Sequence, residues 1–130
     1  MVILDTNIII DHLRLARFTN SILAKLSLTH TSSELAISTI TIQELFTGQS
    51  SSKKRPLEDI ATTLSNLSIA EYTIEVAKLA GALMRKDHKL KFADASIAAT
   101  AIHYGAHLAT LNTKDFAEIP NLKLLKLPSA

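Results

Sequence analysis

The chain has 130 residues, 47% of them apolar, with no cysteine and a formal net charge of +2 at pH 7. This length can bury a core of its own, so one domain over 1–130 is expected, and the missing thiols exclude zinc-finger, disulfide and redox frameworks while suiting a reducing cytoplasm. No apolar run reaches the roughly 18 residues that mark a membrane span, and no basic and then apolar leader opens the chain, so the expectation is a soluble cytoplasmic protein without a membrane partner.

Residues 1–5 form a fully buried strand pattern, and residues 6–15 follow at once with Ile9, Leu13 and Ala16 at helical spacing. A second helix over 19–28 puts Ile22, Leu23 and Leu26 on one face. Residues 35–38 supply another strand, 39–46 restart a helix, and Gly48 with the serine run 50–52 breaks it into a loop. Pro56 suits the first turn of a helix over 57–67, which leads to a short strand at 68–70. The longest helical pattern is 73–90, where Ala77, Ala80, Gly81 and Met84 make a stripe able to approach the sheet or another helix closely. Asp94 opens a helix to Tyr104 that stops at Gly105, residues 107–111 and 122–127 are the last two strands, and Pro128 ends the fold. Strands alternating with helices imply a parallel sheet with helices on both faces.

Four acids, Asp5, Glu44, Asp94 and Asp115, each stand beside a strand end or helix start. Asp5 and Asp115 both follow short apolar strands, so they project from the carboxyl edge of the sheet, where open α/β folds bind ligands. Brought within about 4 Å, carboxylates repel by roughly 1 kcal/mol per pair in water and roughly 4 at an effective dielectric of 20. A divalent cation relieves that repulsion, and oxygen donors without thiols point to Mg²⁺ or Mn²⁺. Each acid also has a structural explanation. Asp5 and Asp94 can be N-caps, Thr41 and Glu44 fit a capping box, and Asp115 can favour the positive end of a short helix. Four caps need no common location, whereas a parallel sheet gathers these four at one edge.

Other chemistries find less support. The five histidines form no zinc pair, neither a dinucleotide fingerprint nor a phosphate loop is present, and Ser96 lacks a nucleophile elbow. Setting the four acids aside leaves 8 of the 12 Asp and Glu against 14 Lys and Arg, a basic remainder. Lys53, Lys54 and Arg55 form one basic stretch. Lys78, Arg85, Lys86, Lys89 and Lys91 form another just upstream of Asp94 and can hold a phosphate backbone near the acids. A solvated helix face is the plainer alternative for either stretch.

The strings LDTN at 4–7, STITIQEL at 38–45, DASIAATA at 94–101 with Gly105, and TLNTKDF at 110–116 carry a family resemblance in this order, and 120–127 also fits. On them the chain resembles PIN-domain ribonucleases, and among these the VapC-type toxins of toxin–antitoxin pairs, over nearly its whole length. The resemblance implies a three-layer α/β/α fold with a parallel four- or five-stranded sheet, and a Mg²⁺- or Mn²⁺-dependent endoribonuclease. Asp5, Glu44, Asp94 and Asp115 would hold the metal, directly or through water, and Asn7, Thr110 and Asn112 would orient them. Arg85, Lys86, Lys89 and Lys91 are the candidates for RNA contact. In some relatives the fourth acid stands at the position of Asn112; here Asp115 takes that part from one helical turn farther on. The resemblance further implies a homodimer and a VapB-type antitoxin lying across the groove. Two alternatives belong to other classes. One is a catalytically silent PIN-like binding module. The other is a phosphoryl-accepting domain using Asp5, whose second acid two residues on is absent because that position is Asn7.

Overall fold

β1 (Val2–Leu4) is short, apolar and buried throughout, as a central parallel strand must be. Its alternation sends Val2 and Leu4 into one core and Ile3 into the other. β2 (Leu35–Ser38), β3 (Ser68–Ala70), β4 (His107–Ala109) and β5 (Lys123–Leu124) complete an all-parallel five-stranded sheet of order β3-β2-β1-β4-β5. Ile3 pairs with Ala36 on one side and with Leu108 on the other. The chain winds outward in one direction from β1 to β3 and in the other from β4 to β5. The reversal between β1 and β4 opens a crevice at their carboxyl ends. The structure, a computed structural model, describes residues 1–15, 20–48 and 57–128.

Helices close both faces. α1 (Thr6–Arg14), α2 (Ile22–Leu26), α3 (Thr39–Thr47) and α4 (Leu57–Ser65) cover the side holding Leu4, Ile8, Ile9, Leu45 and Ile60. α5 (Ile74–Lys86) and α6 (Phe92–His103) cover the other, and the one-turn α7 (Thr113–Phe116) adds Phe116 to that core. Every residue of α6 from Ala95 to Ala101 is buried, which explains its apolarity all round. Its alanines let it lie close to the sheet while α5 packs over it. Gly48 ends α3 in the left-handed conformation (φ 71°), where a side chain would be strained. Among the described residues no helix is long and apolar enough to cross a membrane.

Several expected boundaries move, each for a local reason. α2 starts at Ile22 because the Ser21 hydroxyl caps it on the Ala24 N–H. α5 stops at Lys86 instead of running to residue 90, since Asp87 turns extended and its Oδ1 accepts the Lys89 N–H at 3.0 Å. α6 starts at Phe92, ahead of Asp94. β4 and β5 are shorter than expected; β5 is an edge strand paired on one side only. The stripe on α5 divides: Ala80 is buried with Val76 and Leu83, whereas Ala77 and Gly81 face outward. The larger Val76 and Leu83 bury more apolar area and claim the core side. Ala16, the serine run 50–52, the stretch Lys53, Lys54 and Arg55, and Pro56 lie outside the described residues.

Leu108 is fully buried on the central strand β4, whereas Leu28 is 84% exposed after α2. Leu108→Ala is expected to cost about 2–5 kcal/mol in denaturant unfolding and Leu28→Ala under about 0.5; equal costs would contradict the described core.

Candidate active site

Asp5 leaves the end of β1 with an extended backbone and becomes the N-cap of α1. Its Oδ1 accepts the Thr6 N–H at 2.7 Å and its Oδ2 accepts the Thr110 hydroxyl at 2.7 Å, while its own N–H donates to the Ala109 carbonyl at 2.9 Å. Capping and site membership therefore coexist, because a carboxylate has more lone pairs than the cap consumes. Thr110 follows β4 and is 1% exposed. Besides donating to Asp5, its Oγ1 accepts Asn7 Nδ2 at 3.3 Å and the Asn112 N–H at 3.0 Å. One proton and two lone pairs are thus all engaged, which fixes the hydroxyl's orientation. Asn7 Oδ1 in turn accepts the Leu111 N–H at 3.2 Å, stitching α1 to the segment after β4.

Glu44 arrives from α3. Thr6 Oγ1 donates to its Oε1 at 2.6 Å and lies 3.0 Å from Thr41 Oγ1. A capping box between Thr41 and Glu44 is overturned: the N-cap of α3 is Ser38, whose Oγ accepts the Ile40 N–H at 3.1 Å, so Glu44 lies beyond the first turn. Asp94 is not a cap either. It sits within the first turn of α6, whose N-cap is Lys91 with no side-chain cap bond. Asp115 is exposed on α7.

The charges report one another. Burial pushes the Asp5 carboxyl above its ordinary range; the bonds from Thr110 and Thr6 pull it back, while Glu44 and Asp115 push it further. Asp94, half-buried, is pushed up to about 6, first by burial, then by Asp5 and Asp115 and to a lesser degree Glu44, with the Lys91 ammonium opposing. Four acids from four separate places in the chain therefore share one field. Among the described residues no three of them converge closely enough to ligate a single ion as they stand. Their donor set nonetheless suits a hard divalent cation: it is all oxygen, and its mutual repulsion is the kind that such a charge removes.

The remaining candidates divide. Thr110 orients Asp5 directly and Asn7 acts through Thr110, but Asn112 takes part through its backbone, its N–H donating to Thr110 Oγ1 and its carbonyl accepting the Asp115 N–H at 3.1 Å, while its side chain makes no cap bond. Lys89 and Lys91 line a cavity of about 250 Å³ together with Asp94 and Asp115. Lys86 lines a neighbouring one with Leu83 and Pro120, and Arg85 is exposed at the end of α5. Sequence reasoning missed Thr6, the link between Asp5 and Glu44, and Lys114, which shares the cavity of Asp94. Both stand next to a proposed acid, which was the available signal. Ser96 is fully buried and its Oγ donates to the Phe92 carbonyl at 2.8 Å, which removes it as a nucleophile.

Fold and site together define a doubly wound α/β domain with an acidic, oxygen-only cluster beside its switch point. The chain belongs to the PIN domain family, whose model matches residues 2–122, and it resembles the VapC-type members. A segment of 52 residues is 44% identical to "Ribonuclease VapC" of Rickettsia bellii; that match covers 40% of this chain and 39% of that protein's length. Over whole chains, a structure of VapBC2 from Rickettsia felis bound to a DNA fragment from its promoter superposes with a TM-score of 0.82 at 31% identity, covering 96% of this chain and 98% of that one. A toxin–antitoxin complex from Klebsiella pneumoniae gives a TM-score of 0.71 at 34% identity, with 94% and 95% covered.

Folded Asp94 holds its proton more tightly than an unfolded Asp, whose ordinary value is 3.8, so metal-free stability falls as pH rises from there through about 6. Asp94→Asn is expected to raise the metal-free stability at neutral pH by about 1 kcal/mol, an amount discounted for the group's half-exposure. Thermal melts in EDTA should show that gain vanishing below about pH 4; a variant that melts lower at neutral pH would contradict the described field. By contrast, Thr110→Val removes the donor to Asp5 and should cost about 1–3 kcal/mol.

Proposed function

We propose that this protein is a divalent-metal-dependent endoribonuclease, acting in the cytoplasm as the toxin of a VapBC-type pair and held inactive by a VapB-type antitoxin. The observation that carries this reading is the gathering of acids from separate elements at the carboxyl edge, where Thr6 ties Asp5 to Glu44 and where Asp94 and Asp115 line one cavity. The name of the Rickettsia bellii relative supports RNA as substrate, and the VapBC complex among the solved structures supports an antitoxin partner.

In this reading Asp5, Glu44, Asp94 and Asp115 hold Mg²⁺ or Mn²⁺. A cation bound there supplies charge neutralisation at the phosphoryl oxygens and makes water a better nucleophile. The chain's own residues do the positioning. Thr110 and the Thr6 N–H fix both oxygens of Asp5, Thr6 also holds Glu44, and α6 carries Asp94 immediately before its buried run Ala95 to Ala101. Asp115, exposed on α7, completes the ligand set or orients the attacking water, and its influence on both Asp5 and Asp94 favours it over Asn112 as the fourth acid. Water attacks phosphorus in line, the bond to O3′ breaks, and the products carry a 5′-phosphate and a 3′-hydroxyl. A histidine-based route would leave a 2′,3′-cyclic phosphate instead. Exposed Ile74 at the start of α5 and Leu28 after α2 offer apolar surface for the homodimer and antitoxin contacts.

One observation favours a second reading, a catalytically silent module of the same fold: no three described acids converge on one ion. The two are separated by incubating antitoxin-free protein with total cellular RNA and Mg²⁺ or Mn²⁺, against EDTA and Asp94→Asn controls, with product ends mapped by sequencing. Discrete metal-dependent cuts bearing 5′-phosphates, reduced at least about a hundredfold in the variant, are expected. Equal cleavage by the variant, or none by the wild type, would sink the nuclease reading.

A further inference from the structure

The cavity beside Asp94 and Asp115 is lined by three lysines, Lys89, Lys91 and Lys114. They come from two places that only the fold joins: Lys89 and Lys91 from the turn between α5 and α6, and Lys114 from α7. All three are exposed. We propose that this cavity is a phosphate subsite for single-stranded RNA, in which Lys91 and Lys114 grip a backbone phosphate next to the one being cut. The proposal deepens the nuclease reading by assigning the side of the acids on which the RNA backbone lies.

Size and charge both bear on it. About 250 Å³ falls below the roughly 300 Å³ at which pockets begin to enclose a whole drug-sized ligand, so the space suits one sugar-phosphate unit rather than a base with its nucleotide. Four acids share the lining: Asp87, Asp94, Asp115 and Glu118. Asp87 is turned to its own loop, where Oδ1 accepts the Lys89 N–H. Asp94 and Asp115 belong to the cation-binding set. A divalent ion among the four acids of the cluster lowers their formal charge from −4 to −2, which weakens the repulsion on a phosphate held by the three ammoniums. Lys91 is the N-cap of α6 and lines the cavity together with Asp94 of that helix's first turn, so it stands where acid cluster and cavity adjoin. Lys91 and Lys114 are positioning residues here, because neither touches the reacting atoms. Arg85 and Lys86 fall outside the subsite: neither lines this cavity.

The test measures binding and cleavage separately. A fluorescein-labelled single-stranded RNA is titrated by anisotropy at one fixed Ca²⁺ concentration, with the RNA checked for integrity by gel after each titration, across a series of monovalent-salt concentrations. The proteins are wild type, Lys91→Ala/Lys114→Ala, Lys91→Arg/Lys114→Arg, and a control, Lys123→Ala/Lys126→Ala, in two exposed lysines outside the cavity. Loss of one phosphate contact should reduce the log–log salt slope by about 0.7 in the cavity double variant, with the arginine pair restoring it and the control leaving it unchanged. In Mg²⁺, the same alanine pair should raise KM with kcat unchanged. An unaltered slope, an equal fall in the control, or a loss confined to kcat would each overturn the subsite. A slope that falls as expected in a protein that cleaves no RNA would uphold the subsite while removing the nuclease reading.

Discussion

Asp5 carries a carboxyl into a place from which the fold has excluded most of the water, and the rest of the carboxyl edge is built around that constraint. A buried carboxylate is costly unless hydrogen bonds or opposite charge compensate it. Two donors reach it, the Thr6 N–H and the Thr110 hydroxyl, yet Glu44 and Asp115 add like charge. The compensation is therefore incomplete. Topology compels the burial: β1 is the middle strand of five, so the residue at its end has neighbours on both sides. A cation placed among the acids completes what the two hydrogen bonds begin.

From this anchor the acids grade outward in exposure and in restraint. Asp5 is held at both oxygens, Glu44 at one through Thr6, Asp94 is half-buried on a sealed helix, and Asp115 is exposed on a single turn. Groups on rigid elements keep their geometry better than groups on loops. In the proposed nuclease the inner acids would fix the position of a metal, and the exposed Asp115 would stand on the side open to substrate. The lysine-lined cavity lies on the side of Asp115, between α7 and the turn before α6.

Much of this was legible in the sequence because short apolar strands alternating with amphipathic helices admit few arrangements. The apolar runs 1–4 and 107–111 marked two strands of a parallel sheet, and so put Asp5 and Asp115 at one edge of it; that these strands are neighbours in the middle of the sheet came only with the structure. What escaped were features set by competition in space. Ala77 and Gly81 match Ala80 in size and spacing, but Val76 and Leu83 claim the buried side of α5. Thr41 and Glu44 have capping-box spacing, but Ser38 starts the helix earlier. Asp94 resembles a cap until α6 is seen to begin at Phe92. Thr6 went unnoticed because a threonine at a helix start has an ordinary local explanation, and only the arrival of α3 gives its hydroxyl a carboxylate to hold.

The most direct measurement of the central claim, that these separated acids form one divalent-cation site, is the melting temperature of antitoxin-free protein titrated with Mn²⁺, without RNA. Ligand that binds only the folded state stabilises it by mass action, about 2.7 kcal/mol at a hundredfold excess over Kd. Wild type is predicted to show a saturable rise that Asp5→Asn and Asp94→Asn each abolish or shift to much higher metal concentration. The same rise in wild type and both variants would place the metal elsewhere and contradict the account.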